Sequence, residues 1–306
     1  MGSYMDRVDA WGKDVFFGIP EFDDETLAQC RESGDWMPVA FEWYKHTAIL
    51  IFRIAQLGGD NDQGLVERPH RHSAVMKGLL ARSSKLMLAS LNLVAESRFG
   101  DILIAIQRMA IESMVKLRWL IKMDTPEKFN QFIAAGLQMS PDLAERINAL
   151  AENSDDAGPL YTRLLDNINA SYTISGVTID EIRQAKTLPN FYQMLEKLNL
   201  QDQYLLLQVV ASSQIHGDWA DLIANHLEYN YGRQRFSLKS THNNPKSRVC
   251  FVGISFAFQT LREYINYAIS RDGAQILIDL LNITEEEFNN RYRDPVLRAD
   301  GILPSS

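Results

Sequence analysis

Three charged residues fall on one stripe of a strongly apolar segment of helical length. The segment covers residues 101–122, and Arg108, Glu112 and Lys116 recur in it every fourth position. Residues four apart lie on one face of an α-helix, so Glu112 can pair with Arg108. Two interpretations follow: a solvated ion pair, or a polar site in which Glu112 orients the Arg108 guanidinium toward an anionic ligand or a partner carboxylate. Trp119 lies almost on the same stripe and would form an aromatic wall.

A second group of reactive residues ends a later apolar segment. Ser213 precedes His216 by three positions, and Gly217 follows directly. A histidine in the last turn of a helix is favoured by the helix dipole, and glycine at the next position readily adopts the left-handed conformation that ends helices. His216 is then either a capping or core residue, or a proton-transfer group. In the second case a carboxylate such as Glu112 sets its pKa and Ser213 is its hydrogen-bond partner.

A basic segment interrupts the otherwise acidic chain at residues 229–247. It contains Arg233, Arg235 and Lys239, and no acidic residue lies between positions 228 and 248. Aromatic residues accompany these charges at Tyr229, Tyr231 and Phe236. Cationic and aromatic side chains together are typical of surfaces that bind RNA or acidic proteins. We therefore predict that Arg233, Arg235 and Lys239 contact an anionic partner.

Three short motifs of the chain resemble a family of bacterial all-helical proteins known only as a domain of unknown function. These motifs are Arg108-Met109-Ala110-Ile111-Glu112, Trp119-Leu120 and Ser213-Gln214-Ile215-His216-Gly217. The resemblance covers about residues 73–219. It implies a bundle in which the Arg-x3-Glu helix faces the Ser-x2-His helix, and it implies no activity. The matching positions are Arg108, Glu112, Ser213 and His216.

A further resemblance is to the HEPN helical bundles, many of which are metal-independent ribonucleases that carry an Arg-x4-6-His motif. Arg235 and His242 are separated by six residues, and His216 ends a predicted helix before glycine, as in some HEPN relatives. This resemblance implies RNA cleavage that uses His216, or Arg235 with His242.

The elements that must position these residues are predicted to be helices. Thr125-Pro126 and Ser140-Pro141 place a capping hydroxyl before proline, and capping boxes begin at Thr178 and Thr284. Residues 172–177 have some β character, but their brevity and a glycine favour an extended connector. The predicted helices cover about residues 24–30, 36–56, 73–98, 101–122, 126–135, 141–151, 159–169, 179–185, 189–198, 202–216, 246–271 and 272–282.

The predicted fold is all-α, a multi-helix bundle with an N-terminal helical layer and a C-terminal helix pair. A polar, glycine-rich loop at residues 58–64 separates that layer from the main body. We expect residues 1–64 to form the N-terminal layer packed on the core and residues 65–228 to form the bundle core. Residues 229–247 are expected to form a basic polar connector, and residues 248–306 the C-terminal helices and tail.

Composition limits the classes of function. The net charge of -8 disfavours extended coating of nucleic acid or anionic membranes. Cys30 and Cys250 are far apart in sequence, which argues against a disulfide framework and favours a reducing cytoplasm. We find no signal peptide and no apolar run long enough to span a bilayer. The His70 and His72 pair, in a predicted exposed basic turn, lacks further ligands, so no metal site is predicted.

No nucleotide-binding loop or dinucleotide fingerprint is present, so we predict no cofactor. The expected function is that of a cytoplasmic bacterial interaction or ligand-binding protein in stress or phage defence, with a protein partner or a small anionic ligand. RNA binding through the basic segment and homo-oligomerisation are two further predictions. The alternatives are a HEPN-like metal-independent ribonuclease and an oligomerising structural scaffold.

Overall fold

The computed structural model describes residues 19–57, 70–95, 99–152, 159–203, 219–241, 243–269 and 271–299, and in these ranges the regular secondary structure is helical apart from one two-stranded sheet. The all-α prediction is confirmed. The helices are α1 Asp24–Ser33, α2 Met37–Leu57, α3 His70–Val94, α4 Gly100–Met123, α5 Pro126–Gly136, α6 Ser140–Glu152, α7 Pro159–Ser175, α8 Ile179–Gln184, α9 Phe191–Lys197, α10 Ser247–Ala268, α11 Arg271–Phe288 and α12 Asp294–Ala299. The strands are β1 Leu227–Asn230 and β2 Arg235–Leu238. Across the described helices, none combines the length and the apolar character needed to cross a bilayer.

Four long helices form the central bundle. α3 packs against α2 and α4, and α10 closes the arrangement by packing against the same two helices. The predicted C-terminal helix α10 is therefore part of the bundle centre, and α11 packs against it. The largest fully buried side chains include Trp43 of α2, Trp119 of α4 and Tyr264 of α10. Burial of each such aromatic side chain contributes about 1.5–3 kcal/mol, so these residues hold the bundle together.

Local capping explains several helix boundaries. Thr125 accepts a hydrogen bond from the Lys128 amide at the start of α5, and Thr178 forms the predicted capping box with Glu181 at the start of α8. The capping box predicted at Thr284 is wrong. Thr284 lies inside α11, where its hydroxyl donates to the Leu280 carbonyl at 2.9 Å. The helix continues because this buried hydroxyl is satisfied within the previous turn.

Two further expectations are corrected. Residues 172–175 belong to α7 rather than to an extended connector, and the Thr173 and Ser175 hydroxyls donate to carbonyls of the preceding helical turn; Thr173 Oγ1, for example, donates to Asn169 O at 3.1 Å. Gly176, with a φ of 62°, then ends the helix. His72 is buried within α3 rather than exposed in a turn. Its ring stacks on Phe129 with ring centroids 4.6 Å apart and lies 3.2 Å from the side-chain oxygen of Asn130.

The predicted connector after residue 228 contains an antiparallel hairpin. β1 pairs with β2 so that Leu227 lies opposite Leu238 and Tyr229 opposite Phe236. The amide of Arg233 donates to Asn230 Oδ1 at 3.0 Å, which fixes the turn between the strands. Short runs of alternating apolar residues on both sides of a glycine-containing turn are typical of hairpins. Residues 227–238 have this pattern, so the signal for a hairpin is present in the sequence.

The start of α4 is locked to the segment that follows the hairpin. The Gly100 amide donates to the Asn243 carbonyl at 2.8 Å, and a Cβ atom at Gly100 would lie 2.5 Å from the Asn244 carbonyl oxygen. Only glycine permits this approach of two backbones, so the base of the hairpin has a fixed position relative to the bundle.

The Gly100→Ala variant is expected to lose about 2 kcal/mol of stability, because the methyl group must displace backbone rather than a flexible side chain. The matched control is Gly78→Ala on α3, where a Cβ atom would meet nothing within 4 Å. That change should stabilise the protein by about 0.5–1 kcal/mol, since alanine is the better helix former. Urea denaturation measures both, and a Gly100→Ala protein as stable as the control would contradict the close contact.

Candidate functional site

The predicted charged stripe on α4 is a compact ion-pair network. Arg108 Nη1 donates to Glu112 Oε2 at 3.0 Å, and Lys116 Nζ lies 2.7 Å from Glu112 Oε1. The Arg108 guanidinium also lies 3.8 Å from the centre of the Phe191 ring on α9. Arg108 is only 6% exposed, so this cation is held between a carboxylate and an aromatic face.

The environment of Glu112 favours its charged form. Burial pushes the pKa of this carboxyl upward, but the hydrogen bonds and charges of Lys116 and Arg108 outweigh burial and hold the pKa below its ordinary value. Glu112 is therefore ionised at neutral pH, as a partner of a buried arginine should be.

This lowered pKa predicts a definite pH dependence. A carboxylate with a depressed folded pKa stabilises the protein fully above its ordinary pKa of 4.5, and this stabilisation is lost as the pH falls through the folded value. We expect the stability difference between the wild type and Glu112→Gln to be constant from neutral pH to about pH 5 and to shrink below it. Urea denaturation over this pH series measures the difference, and a constant difference at all pH values would contradict the ion pair.

Of the other residues predicted for this site, Trp119 is the one that lies within the described residues. Trp119 is buried in the bundle core, where its ring packs against other apolar side chains. Ser213, His216 and His242 lie outside the described residues. The predicted convergence of Arg108, Glu112 and His216 thus stays a prediction, and so does the HEPN-like use of His216 or His242.

Sequence analysis missed a second buried arginine on α4. Arg118 Nε and Nη2 donate to Glu263 Oε1 at 3.0 and 2.7 Å, and Nη1 donates to Gln259 Oε1 at 3.1 Å. These contacts join α4 to α10 across the bundle. Because the two partners are on a helix far along the chain, spacing within α4 gives no indication of them.

The hairpin has one apolar face that is open to solvent. Side chains alternate along a strand, so Leu227, Tyr229, Phe236 and Leu238 share this face. Trp219, in a short helical turn before the strands, extends it. The exposed fractions are 57% for Trp219, 40% for Tyr229, 49% for Phe236 and 83% for Leu238. We call these five residues the hairpin face.

The aromatic rings of the hairpin face contact one another. The Phe236 ring centre lies 5.4 Å from that of Trp219 and 4.8 Å from that of Tyr229. Tyr231, in the turn, packs edge to face on Tyr229 with a centroid distance of 5.0 Å. Such pairs stabilise each other by about 0.5–1.5 kcal/mol, so the rings form one ordered cluster rather than separate surface groups.

The cations predicted to bind a partner divide into two groups. Arg233 lies in the turn and Arg235 on the strand face opposite Phe236, and both side chains are exposed. Lys239 instead anchors the hairpin, because its Nζ donates to Asn243 Oδ1 at 3.0 Å and to the Ala224 carbonyl at 3.4 Å. Of these three cations, Arg233 and Arg235 are therefore the two that a partner can reach at the tip of the hairpin.

A polar network supports the base of the hairpin. Trp219–Asp221 continues into the π-helical turn Leu222–His226. The buried Asp221 accepts from Asn225 Nδ2 at 2.8 Å and lies 3.4 Å from His226 Nε2, while Asn243 Nδ2 donates to Asn225 at 2.6 Å. Neither Asp221 nor His226 was identified from the sequence, because the five-residue spacing of a π-helical turn is not a helical repeat.

The described ranges hold no group of three or more histidine, cysteine, aspartate or glutamate side chains that could bind a metal ion.

Fold and site together define a helical bundle that carries an exposed aromatic hairpin.

Residues 73–234 match a family of unknown function (DUF5677), and this region is more than half of the chain. The chain belongs to this family, so the predicted membership of a helical family of unknown function is confirmed. The matched region reaches from α3 through β1 into the hairpin turn. No curated protein and no solved structure matches the chain.

Proposed function

We propose that this chain is a protein-binding module and that the hairpin face is its docking surface. The proposed partner is a protein segment that combines apolar side chains with acidic ones. The observation that carries this proposal is the contiguous cluster of exposed aromatic rings on the hairpin face. Contiguous exposed apolar patches mark interaction sites, and tryptophan, tyrosine and arginine are the residue types most enriched among binding hot spots.

The charges around the hairpin favour an acidic partner. The chain carries a net charge of -8, yet Arg233 lies in the turn of the hairpin and Arg235 on the other face of β2, with Glu228 as the one acid in either strand. Two identical basic hairpins would repel each other, whereas carboxylates on a partner would be attracted. This argues against a second copy of the chain as the occupant.

The aliphatic side chains favour protein over RNA. Single-stranded nucleic acid binds by stacking of bases on open ring faces. Leu227 and Leu238 flank the rings on the same face and offer no stacking surface, but they suit an apolar side chain of a peptide. An isolated two-stranded hairpin is only marginally stable in water, and a partner on this face would supply burial that the hairpin lacks.

The biological setting belongs to the same proposal. We place the protein in the bacterial cytoplasm because both cysteines are free thiols buried in the fold, which suits a reducing compartment. A role in stress or phage defence rests on the resemblance described from the sequence.

A peptide selection tests the proposal and reports the chemistry of the partner at the same time. The wild-type protein is panned against a display library of random peptides, with the Phe236→Asp protein used for counter-selection. The proposal expects enriched peptides that combine Asp or Glu with large apolar residues. Enrichment of basic peptides only, or of no peptide that depends on Phe236, would contradict it.

Two further measurements on the same proteins separate the alternatives. Light scattering reports self-association, and fluorescence anisotropy reports binding of a labelled uridine oligonucleotide. We expect neither to depend on Phe236. Dimerisation that Phe236→Asp abolishes would favour the scaffold, and oligonucleotide binding that it abolishes would favour an RNA partner.

A further inference from the structure

A cavity of 580 Å³ lies away from the hairpin face, between α1, the start of α10 and the start of α12. Three of its lining residues are cations: Arg31 in the last turn of α1, and Lys246 and Arg248 at the start of α10. No described acidic residue lines it, although the chain as a whole is acidic. Three cations around one cavity produce a positive potential that favours an anionic occupant.

Among the described residues, no neighbouring carboxylate neutralises these cations. Within those ranges, none of the ion pairs includes Arg31, Lys246 or Arg248. The acids that follow Arg31 in sequence, Glu32 and Asp35, are not lining residues, and Asp35 accepts a hydrogen bond from the Met37 amide at 2.9 Å. A ligand that binds these cations therefore does not have to displace a carboxylate of the described residues.

The backbone adds to the positive potential. α10 begins at Ser247, and the N-cap residue Lys246 forms no side-chain cap hydrogen bond. The N-cap residue and the first two residues of this 22-residue helix, Lys246, Ser247 and Arg248, line the cavity. Amides at a helix start and a hydroxyl are common phosphate-binding groups, and here they supplement the cation cluster.

The cavity also has an apolar wall, which limits the class of ligand. The described residues that form this wall are Trp36, Pro295 and Val296. The cavity volume lies within the range of about 300–1,000 Å³ that is usual for sites of small organic ligands and cofactors. A bare inorganic ion would leave most of this space and the apolar wall unused.

We propose that this cavity binds a phosphate monoester of about the size of a nucleoside monophosphate. Arg31, Lys246 and Arg248 bind the phosphate, and the wall of Trp36, Pro295 and Val296 contacts the organic body of the ligand. Arginine is suited to this role because its planar group can donate two parallel hydrogen bonds to phosphate oxygens. This binding site is independent of the hairpin face.

Isothermal titration of the full chain with AMP, adenosine and inorganic phosphate tests the proposal. AMP is expected to bind, adenosine to show no binding, and inorganic phosphate to bind more weakly than AMP. Arg31→Ala and Arg248→Ala should each raise the Kd for AMP about tenfold, which corresponds to the loss of about one charge-assisted hydrogen bond. Arg82→Ala, at an exposed cation on α3, is the matched control and should leave the Kd unchanged.

Several results would overturn this proposal. They are absence of AMP binding at concentrations of about 5 mM, equal Kd values for AMP and inorganic phosphate, and equal Kd values for the wild type and both arginine variants. Circular dichroism and thermal unfolding of each variant verify that it is folded, so a loss of binding cannot arise from unfolding.

Discussion

The Phe236→Asp variant is expected to bind a selected acidic peptide at least 100-fold more weakly than the wild type, a loss of about 3 kcal/mol that is typical of a hot-spot residue. Phe236 lies at the centre of the hairpin face, where its ring contacts both Trp219 and Tyr229. Aspartate removes these contacts and places a negative charge against the carboxylates of the partner. Isothermal titration of the two proteins with the same peptide measures the ratio.

Two control variants separate the apolar contribution from charge and from general surface effects. Ser237→Asp adds the same charge to the opposite face of β2, and Ile174→Asp replaces an apolar side chain on α7 that is 84% exposed. We expect Ser237→Asp to weaken binding only a few-fold, by about 0.5–1 kcal/mol, and Ile174→Asp to have no effect. If Ser237→Asp weakens binding as strongly as Phe236→Asp, charge alone explains the effect and the hairpin face is not the docking surface.

The second large effect is expected at the ion pair of α4. Glu112→Ala removes the carboxylate to which Arg108 Nη1 donates. The Arg108 side chain, which is only 6% exposed in the wild type, still lies against the Phe191 ring. Loss of one partner from a buried ion pair is costly because the other charge stays desolvated. We expect a loss of about 3 kcal/mol in the free energy of unfolding, at the low end of the usual range because Glu112 itself is partly exposed.

The exposed pair Lys45–Glu42 on α2 provides the comparison, since its two charged atoms are 3.3 Å apart but both side chains are in contact with solvent. Glu42→Ala should cost less than about 1 kcal/mol. The Arg108→Met change in the Glu112→Ala background should restore part of the lost stability, because it removes a buried charge that has lost the Glu112 carboxylate. Equal unfolding midpoints for Glu42→Ala and Glu112→Ala would show that burial of Arg108 has no energetic consequence.

Local patterns predicted the helices and the α4 ion pair, because both depend on residues close in sequence. The four-residue spacing of Arg108 and Glu112 is sufficient to place them side by side on a helix. The same spacing cannot reveal that Phe191 covers Arg108 from another helix. Nor can it reveal that Arg118 pairs with Glu263 on α10, since that contact depends on the packing of the bundle.

The hairpin was predicted as a connector for a different reason. Each strand has only four residues, and the cations between the apolar positions indicated a solvated segment. The sequence singled out this segment as a binding surface but attributed binding to its charges. The pairing of β1 with β2 is what places Tyr229 opposite Phe236 and brings Trp219 against them, and this arrangement is absent from a one-dimensional pattern.

Hydrogen–deuterium exchange of the protein with and without the selected acidic peptide tests the docking surface most directly. The predicted result is slower amide exchange in β1 and β2 on peptide binding, with no change in α7 or around Phe191 on α9. The Phe236→Asp protein should show no peptide-dependent change under the same conditions. Protection centred on α4 and α9, with unchanged exchange in both strands, would contradict the hairpin face as the site of binding.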